Sequence, residues 1–275
     1  MGMDVVAFDP APGAEERLRD FVAAAWPVLE TLGLRDGASP ERLRLVDQLA
    51  GLSGAVDVVQ ENIAEDLEAK SDLFRALDEV LAPETIVLSS TSWLSMTKMQ
   101  DGCAGARRLV TGHPLNPPYL LRCIEVAGGR QTDPAAVRWA MDFYRAMELL
   151  PIHLKREVPG LVANRLQEAL TRAALQMVAM REATLDDIDT VLMEGLAPRW
   201  STVGFALNLQ LSAGAKGIDG MLDLFGAQVP DGPRMPASVR GQIVNACAKT
   251  VVGRTPGELA EARDRALLRV KGYSR

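Results

Sequence analysis

Residues 4–22, DVVAFDPAPGAEERLRDFV, decide how the first half of this chain is read. Val5 to Phe8 is a short apolar run that Asp9-Pro10-Ala11-Pro12-Gly13 breaks at once, so the pattern predicts a buried strand closed by a turn. From Ala14 to Leu32 the period changes: Leu18, Phe21, Val22, Ala25 and Leu29 fall on one helical face, and Pro27 is expected to bend the helix. The same alternation continues outward. Strands are expected at Leu43–Val46, Val56–Val59, Thr85–Leu88 and Arg108–Val110, and helices at Leu67–Leu81 and Pro134–Leu149. Strand alternating with helix over the first 150 residues predicts an open, mostly parallel α/β sheet with helices on both faces.

After Pro159 the texture is helical. Asn164 to Met180 has the length and spacing of a long helix, and Thr184-x-x-Asp187 is a capping box that opens another. Gly214, Gly217 and Gly220 suggest short turns, and a last helix is expected from about Gly257 to Val270. The expected organisation is a sheet domain over 1–156 and an all-α domain over 157–275.

A chain of 275 residues with 48% hydrophobic content has room for two domains with separate cores. Its net charge of −6 comes from interleaved acids and bases, which removes nucleic acid and anionic membranes from the partner classes and leaves a small molecule. Cys103, Cys123 and Cys247 stand far apart, without metal-ligand spacing, so neither a metal site nor a disulfide framework is expected. The opening MGMDVVAFDPAPG has no basic start or apolar core of a signal peptide, and no segment is apolar for the roughly 18 residues of a membrane span. The expectation is a cytoplasmic protein.

Chemistry concentrates in TGHPLNPPYLLRCIEV, residues 111–126. His113 is one of two histidines, and Glu125 follows it by twelve positions. A neutral imidazole with an ordinary pKa of about 6.5 suits general-base work, and a carboxylate beside it stabilises the imidazolium that forms. Residues twelve apart share no helical face, so a turn and a returning strand are required to bring them together. Taken singly, His113 also reads as a loop histidine, Glu125 as a solvated strand residue, Ser92 as a turn residue and Asn164 as a helix cap.

Together they form a pattern. Thr91-Ser92, Gly112-His113-Pro114-Leu115-Asn116-Pro117, Ile124-Glu125-Val126 and Val158-Pro159-Gly160-Leu161-Val162-Ala163-Asn164-Arg165 resemble, in order and spacing, the motifs of the L-3-hydroxyacyl-CoA dehydrogenase superfamily. The resemblance runs from about Asp4 to about residue 225. It implies that His113 removes the proton of a 3-hydroxyl while hydride leaves to NAD, that Glu125 orients His113, and that Ser92 and Asn164 hold the reacting oxygen. It also implies that Asp9 holds the ribose hydroxyls of NAD, that Glu61 lies near the nicotinamide, and that the helical domain forms a homodimer. Residues 112–129, with Arg199-Trp200-Ser201-x-x-Gly204, look most like the carnitine dehydrogenases and their small-hydroxy-acid relatives. A quaternary ammonium substrate would call for an aromatic cage, for which Tyr119, Trp200 and Phe205 are candidates, with Asn116 a candidate beside His113.

One motif of that superfamily is missing. It opens with a strand, a Gly-x-Gly-x-x-Gly turn and a helix whose N-terminus receives the pyrophosphate, whereas no two glycines of this chain are two positions apart. The expected fold is therefore a Rossmann-like domain lacking its first strand and helix, joined to an all-α domain. Several readings stay open from sequence: a shortened dehydrogenase, a sheet whose gap is closed by direct pairing of its flanking strands or by a partner's strand, a non-redox enzyme using the His-Glu dyad, or an inactive binding protein.

Overall fold

A computed structural model of the chain describes residues 2–54, 56–213, 217–226 and 237–270. It divides into two compact units, residues 1–170 and 171–275, and the division falls inside a long helix.

In the first unit, β1 (Val5–Ala7) leads into α1 (Ala14–Leu32), and β2 (Leu43–Leu45) returns to lie parallel to β1 as a two-stranded sheet. A second sheet has the order β3 (Val58–Glu61), β4 (Ile86–Ser89), β5 (Leu109–Pro114), β6 (Cys123–Gly128) and β7 (Leu150–His153). All its neighbours are parallel except β5 and β6. Direct pairing of β1 with β3 is not made; among the described residues each keeps a free edge.

The apolar runs of β4 and β5 are buried on both sides, as strands in covered parallel sheets must be. Successive side chains alternate between faces. Leu88 and Val110 pack with Ala136, Val137, Ala140, Met141 and Tyr144 of one helix, Pro134–Ala146. Val87 and Leu109 pack on the opposite face with Phe74 and Leu77 of α2 (Leu67–Val80) and with Met96 and Met99 of α3 (Met96–Met99). The Pro134–Ala146 helix is α4. Helices therefore cover both faces of the larger sheet, as the alternation predicts. Asp66 and Asp133 cap α2 and α4 by accepting backbone N–H bonds from Ala69 and Ala135 at 2.8 Å.

The face predicted for α1 is only partly buried. Ala25 is covered, but Phe21 is 57% exposed and makes an edge contact with Tyr119, ring centroids 6.2 Å apart. The helix runs through Pro27 without interruption.

The long helix predicted after Pro159 is α5 (Ala163–Ala179). In the second unit, the capping box at Thr184 and Asp187 opens α6 (Leu185–Thr190), and α7 (Ala197–Ser212) bends at Gly204. Of the turns expected at Gly217 and Gly220, Gly217 opens α8 (Gly217–Gly226) with a left-handed φ of 61° that glycine tolerates, whereas Gly220 lies inside that helix, where packing overrides the weak helix propensity of glycine. Gly214 lies outside the described residues. α9 (Ala237–Lys249) was not anticipated, and α10 (Pro256–Val270) matches the last predicted helix.

Candidate active site

The antiparallel pairing of β5 with β6 sets His113 directly opposite Glu125. This is the returning strand that a twelve-residue separation requires. Side chains of paired residues leave the same face, and His113 Nδ1 lies 2.9 Å from Glu125 Oε2. The other oxygen, Oε1, accepts the backbone N–H groups of Val162 at 2.7 Å and Ala163 at 3.1 Å. One carboxylate thus ties the imidazole to the start of α5, whose second residue is Asn164. Glu125 is 1% exposed. Burial alone would raise its pKa, but the hydrogen bonds from His113, Val162 and Ala163 outweigh it and hold the carboxyl below the usual range. Ionised Glu125 accepts, so His113 Nδ1 carries the proton and Nε2 is left as the basic nitrogen.

The position of His113 also depends on Gly112. A Cβ there would fall 2.1 Å from the Tyr144 hydroxyl, a gap that only glycine leaves open. That hydroxyl donates to Gln60 Oε1 at 2.7 Å, and Gln60 Nε2 donates to the Gly112 carbonyl at 3.1 Å.

Ser92 follows β4, whose parallel register with β5 puts Ser89 beside Thr111. Ser92 and His113 therefore rise from the carboxyl ends of adjacent parallel strands, the edge at which open α/β sheets bind ligands. The Ser92 carbonyl accepts the Gly160 N–H at 2.9 Å, and Gly160 has φ 76°, a left-handed conformation that a side chain would strain.

Glu61, placed near the cofactor by the resemblance, has no surface to offer a ligand. It is 3% exposed, its Oε1 accepts from Lys70 Nζ at 2.7 Å and from the Ile63 N–H at 2.6 Å, and its Oε2 accepts from the Ser89 hydroxyl at 2.5 Å. Lys70 is 1% exposed. Removing the ammonium strands a buried carboxylate, so Lys70→Met is expected to cost about 3–5 kcal/mol, measured by urea unfolding. Sequence reasoning missed Glu65, four residues on, whose side chain is 34% exposed and reaches the Ser92 turn. The available signal was its place in the loop just after a strand's carboxyl end.

Asp9 is exposed past the end of β1, with Oδ1 accepting the Ala11 N–H at 2.9 Å. Asn116 is exposed in the loop after β5, and its peptide bond to Pro117 is cis. Tyr119 is engaged with Phe21, so its ring is already partnered in the first unit. Trp200 and Phe205 lie on α7 of the second unit, either side of the bend at Gly204, with Phe205 exposed. Among the described residues no group of three or more His, Cys, Asp or Glu side chains could hold a metal ion. No described helix is long and apolar enough to cross a membrane.

The family model for the 3-hydroxyacyl-CoA dehydrogenase NAD-binding domain matches residues 1–158, and that for the C-terminal domain of the same enzymes matches residues 160–247. The chain belongs to the 3-hydroxyacyl-CoA dehydrogenase family. As a member it is an NAD-dependent dehydrogenase with a Rossmann-like sheet domain and a mostly helical C-terminal part. Among its relatives, an L-carnitine dehydrogenase of Nocardiopsis dassonvillei is 44% identical over 275 residues, covering 98% of this chain and 84% of the relative. One of Pseudomonas aeruginosa is 39% identical over 280 residues, covering 100% and 87%. A solved structure of 5-formyl-3-hydroxy-2-methylpyridine 4-carboxylic acid 5-dehydrogenase, described as an NAD+-dependent dismutase, superposes with a TM-score of 0.77. It is 31% identical and covers 98% of this dehydrogenase and 90% of its own chain.

Asp9 presents an exposed carboxylate past β1, chemically suited to accept ribose hydroxyls, while Glu65 in the loop after β3, Ser92 after β4 and His113 near the end of β5 follow the carboxyl ends of neighbouring parallel strands, the edge at which open α/β sheets bind ligands.

Both Glu65 and Glu125 have carboxyls held below the usual range, so each adds stability above the ordinary glutamate value of about 4.3 that is lost as pH falls through its lower folded value. Thermal melts from neutrality downward are expected to stay flat to about pH 4.3 and to drop as pH falls from there through the lower folded values. In Glu125→Gln the drop is shallower.

Proposed function

We propose that this dehydrogenase oxidises a small 3-hydroxy acid of the carnitine type to the 3-oxo acid. The observation that carries the reading is the buried His113–Glu125 pair, with Glu125 also holding the start of the helix that bears Asn164. In this reading His113 Nε2 takes the proton of the 3-hydroxyl. The chemistry NAD supplies when bound is acceptance of the hydride from C3. Glu125 keeps the proton on Nδ1 before the step and faces an imidazolium after it, so charge separation costs less in the buried site. Ser92 and Asn164 donate to the reacting oxygen. The carnitine-type substrate is supported by the two relatives described above, both named L-carnitine dehydrogenase.

A homodimer through the helical part belongs to the same reading. Leu175, Met180, Val191 and Met193 are each more than half exposed, an apolar surface suited to burial against a second copy. Light scattering of the purified chain tests this, and a monomer at micromolar concentration would overturn it. The function is tested by NADH formation with L-carnitine and, in parallel, with 3-hydroxybutyrate, which lacks the onium group. Turnover of carnitine at the higher kcat/KM supports the proposal; no NADH from either acid refutes it.

A further inference from the structure

Glu65 sits in the loop between β3 and α2, and its Oε1 alone collects hydrogen bonds from the Thr91 hydroxyl at 2.9 Å and from the backbone N–H groups of Ser92 at 2.9 Å, Trp93 at 2.7 Å and Leu94 at 3.2 Å. Such convergence is what a carboxylate needs when it serves as the centre of a turn, because successive N–H groups curled into a concavity bind an anion. The buried Lys70 ammonium stands behind it, 3.7 Å from Oε2 and simultaneously bonded to Glu61 and to the Ile63 carbonyl. Desolvation acts to raise the Glu65 pKa, and the bonds from the 91–94 turn overcome it, so the group is a carboxylate near neutrality. On its other side the Ser92 carbonyl accepts the Gly160 N–H at 2.9 Å. The loop carrying Ser92 has no strand or helix pairing of its own at this point.

We propose that Glu65 is a positioning residue for Ser92: its carboxylate is the post around which the Thr91–Leu94 turn is formed, and Lys70 fixes where that post stands. This rests on the reading of Ser92 as the ligand of the reacting oxygen. Glu65 acts through the turn, and the reacting atoms are touched by Ser92. A hydroxyl displaced by about 1 Å can cost up to about 10²-fold in rate, which is the scale set by losing the post.

The experiment is a double-mutant cycle on the full chain, with NAD and the preferred hydroxy acid. Glu65→Ala is expected to lower kcat by about 10- to 100-fold and to raise KM by less. Glu65→Gln, whose amide oxygen still accepts the four donors, is expected to recover most of that loss. In a Ser92→Ala background Glu65→Ala is expected to cost less than about threefold more, because no hydroxyl remains to be placed. A role in folding alone would shift the melting temperature and leave kcat of the folded fraction unchanged. Should Glu65→Ala not fold, Glu65→Asp, which withdraws the carboxylate by one methylene, carries the same cycle. Additive losses, or a folded Glu65→Ala or Glu65→Asp enzyme with kcat within about twofold of the parent, would overturn the inference. His113→Ala serves as the control on the underlying reading. If it keeps turnover, the active-site assignment falls; if it is inactive while the Glu65 and Ser92 losses add, only the role of Glu65 falls.

Discussion

His113→Ala is expected to lose roughly 10²–10⁴-fold in kcat for oxidation of the hydroxy acid, with a loss of about 1–3 kcal/mol in stability because the buried Glu125 Oε2 loses its donor. In the proposed mechanism the imidazole is the base, and among the described residues its partner at Nδ1 is Glu125. Deleting it leaves Glu125 Oε1 still bonded to Val162 and Ala163, so the start of α5 stays in place. Nucleotide binding should survive, because the group removed acts on the substrate's proton. The check is steady-state NADH formation alongside a titration of NADH by fluorescence and a thermal melt. Retention of kcat within about tenfold would remove His113 from the mechanism.

Glu125 should behave differently from His113, because its two oxygens serve two purposes. Glu125→Gln keeps the size and an acceptor oxygen but loses the negative charge that offsets the imidazolium. Turnover is expected to fall on the order of 10²-fold, with a modest loss of stability. Glu125→Ala removes in addition the acceptor for the Val162 and Ala163 N–H groups. A buried donor left without a partner costs about 1–3 kcal/mol, so this variant should melt several degrees lower and lose activity further. Comparing the two by kcat and by melting temperature separates the electrostatic role from the role in holding α5. Equal stability of Gln and Ala variants would show that the helix start does not depend on the carboxylate.

Much of the architecture was legible because its causes are local. Strands β1 to β5 and helices α1, α2, α4, α5 and α10 follow from hydrophobic period, and α6 from the capping box at Thr184, whereas β7 and α3 are not expected from either. Propensity failed where packing or exposure decides. Gly220 reads as a turn residue because glycine is a poor helix former, yet it lies inside α8. Phe21 shares the predicted helical face, but spacing says only that residues share a face, and Phe21 is 57% exposed with an edge contact to Tyr119. Residue type does not distinguish Glu61, which ends β3, from Glu65 in the loop after it, and the resemblance points to Glu61 alone. Lys70, nine residues from Glu61, decides which is neutralised underneath and which reaches the Ser92 turn.

By itself the sequence determined the strand–helix alternation from β1 to β5, the family, and the identities of an imidazole and a carboxylate that a returning strand had to unite. These depend on residue type and on periods a few residues long. Only the tertiary structure decided that His113 and Glu125 are direct cross-strand partners. It also decided that Glu125 reaches 37 residues along the chain to hold Val162, and that Glu65 reaches 26 residues to hold Thr91. Those contacts join segments remote in sequence. Their partners are chosen by which loops the sheet gathers at its carboxyl edge, and no local propensity encodes that choice.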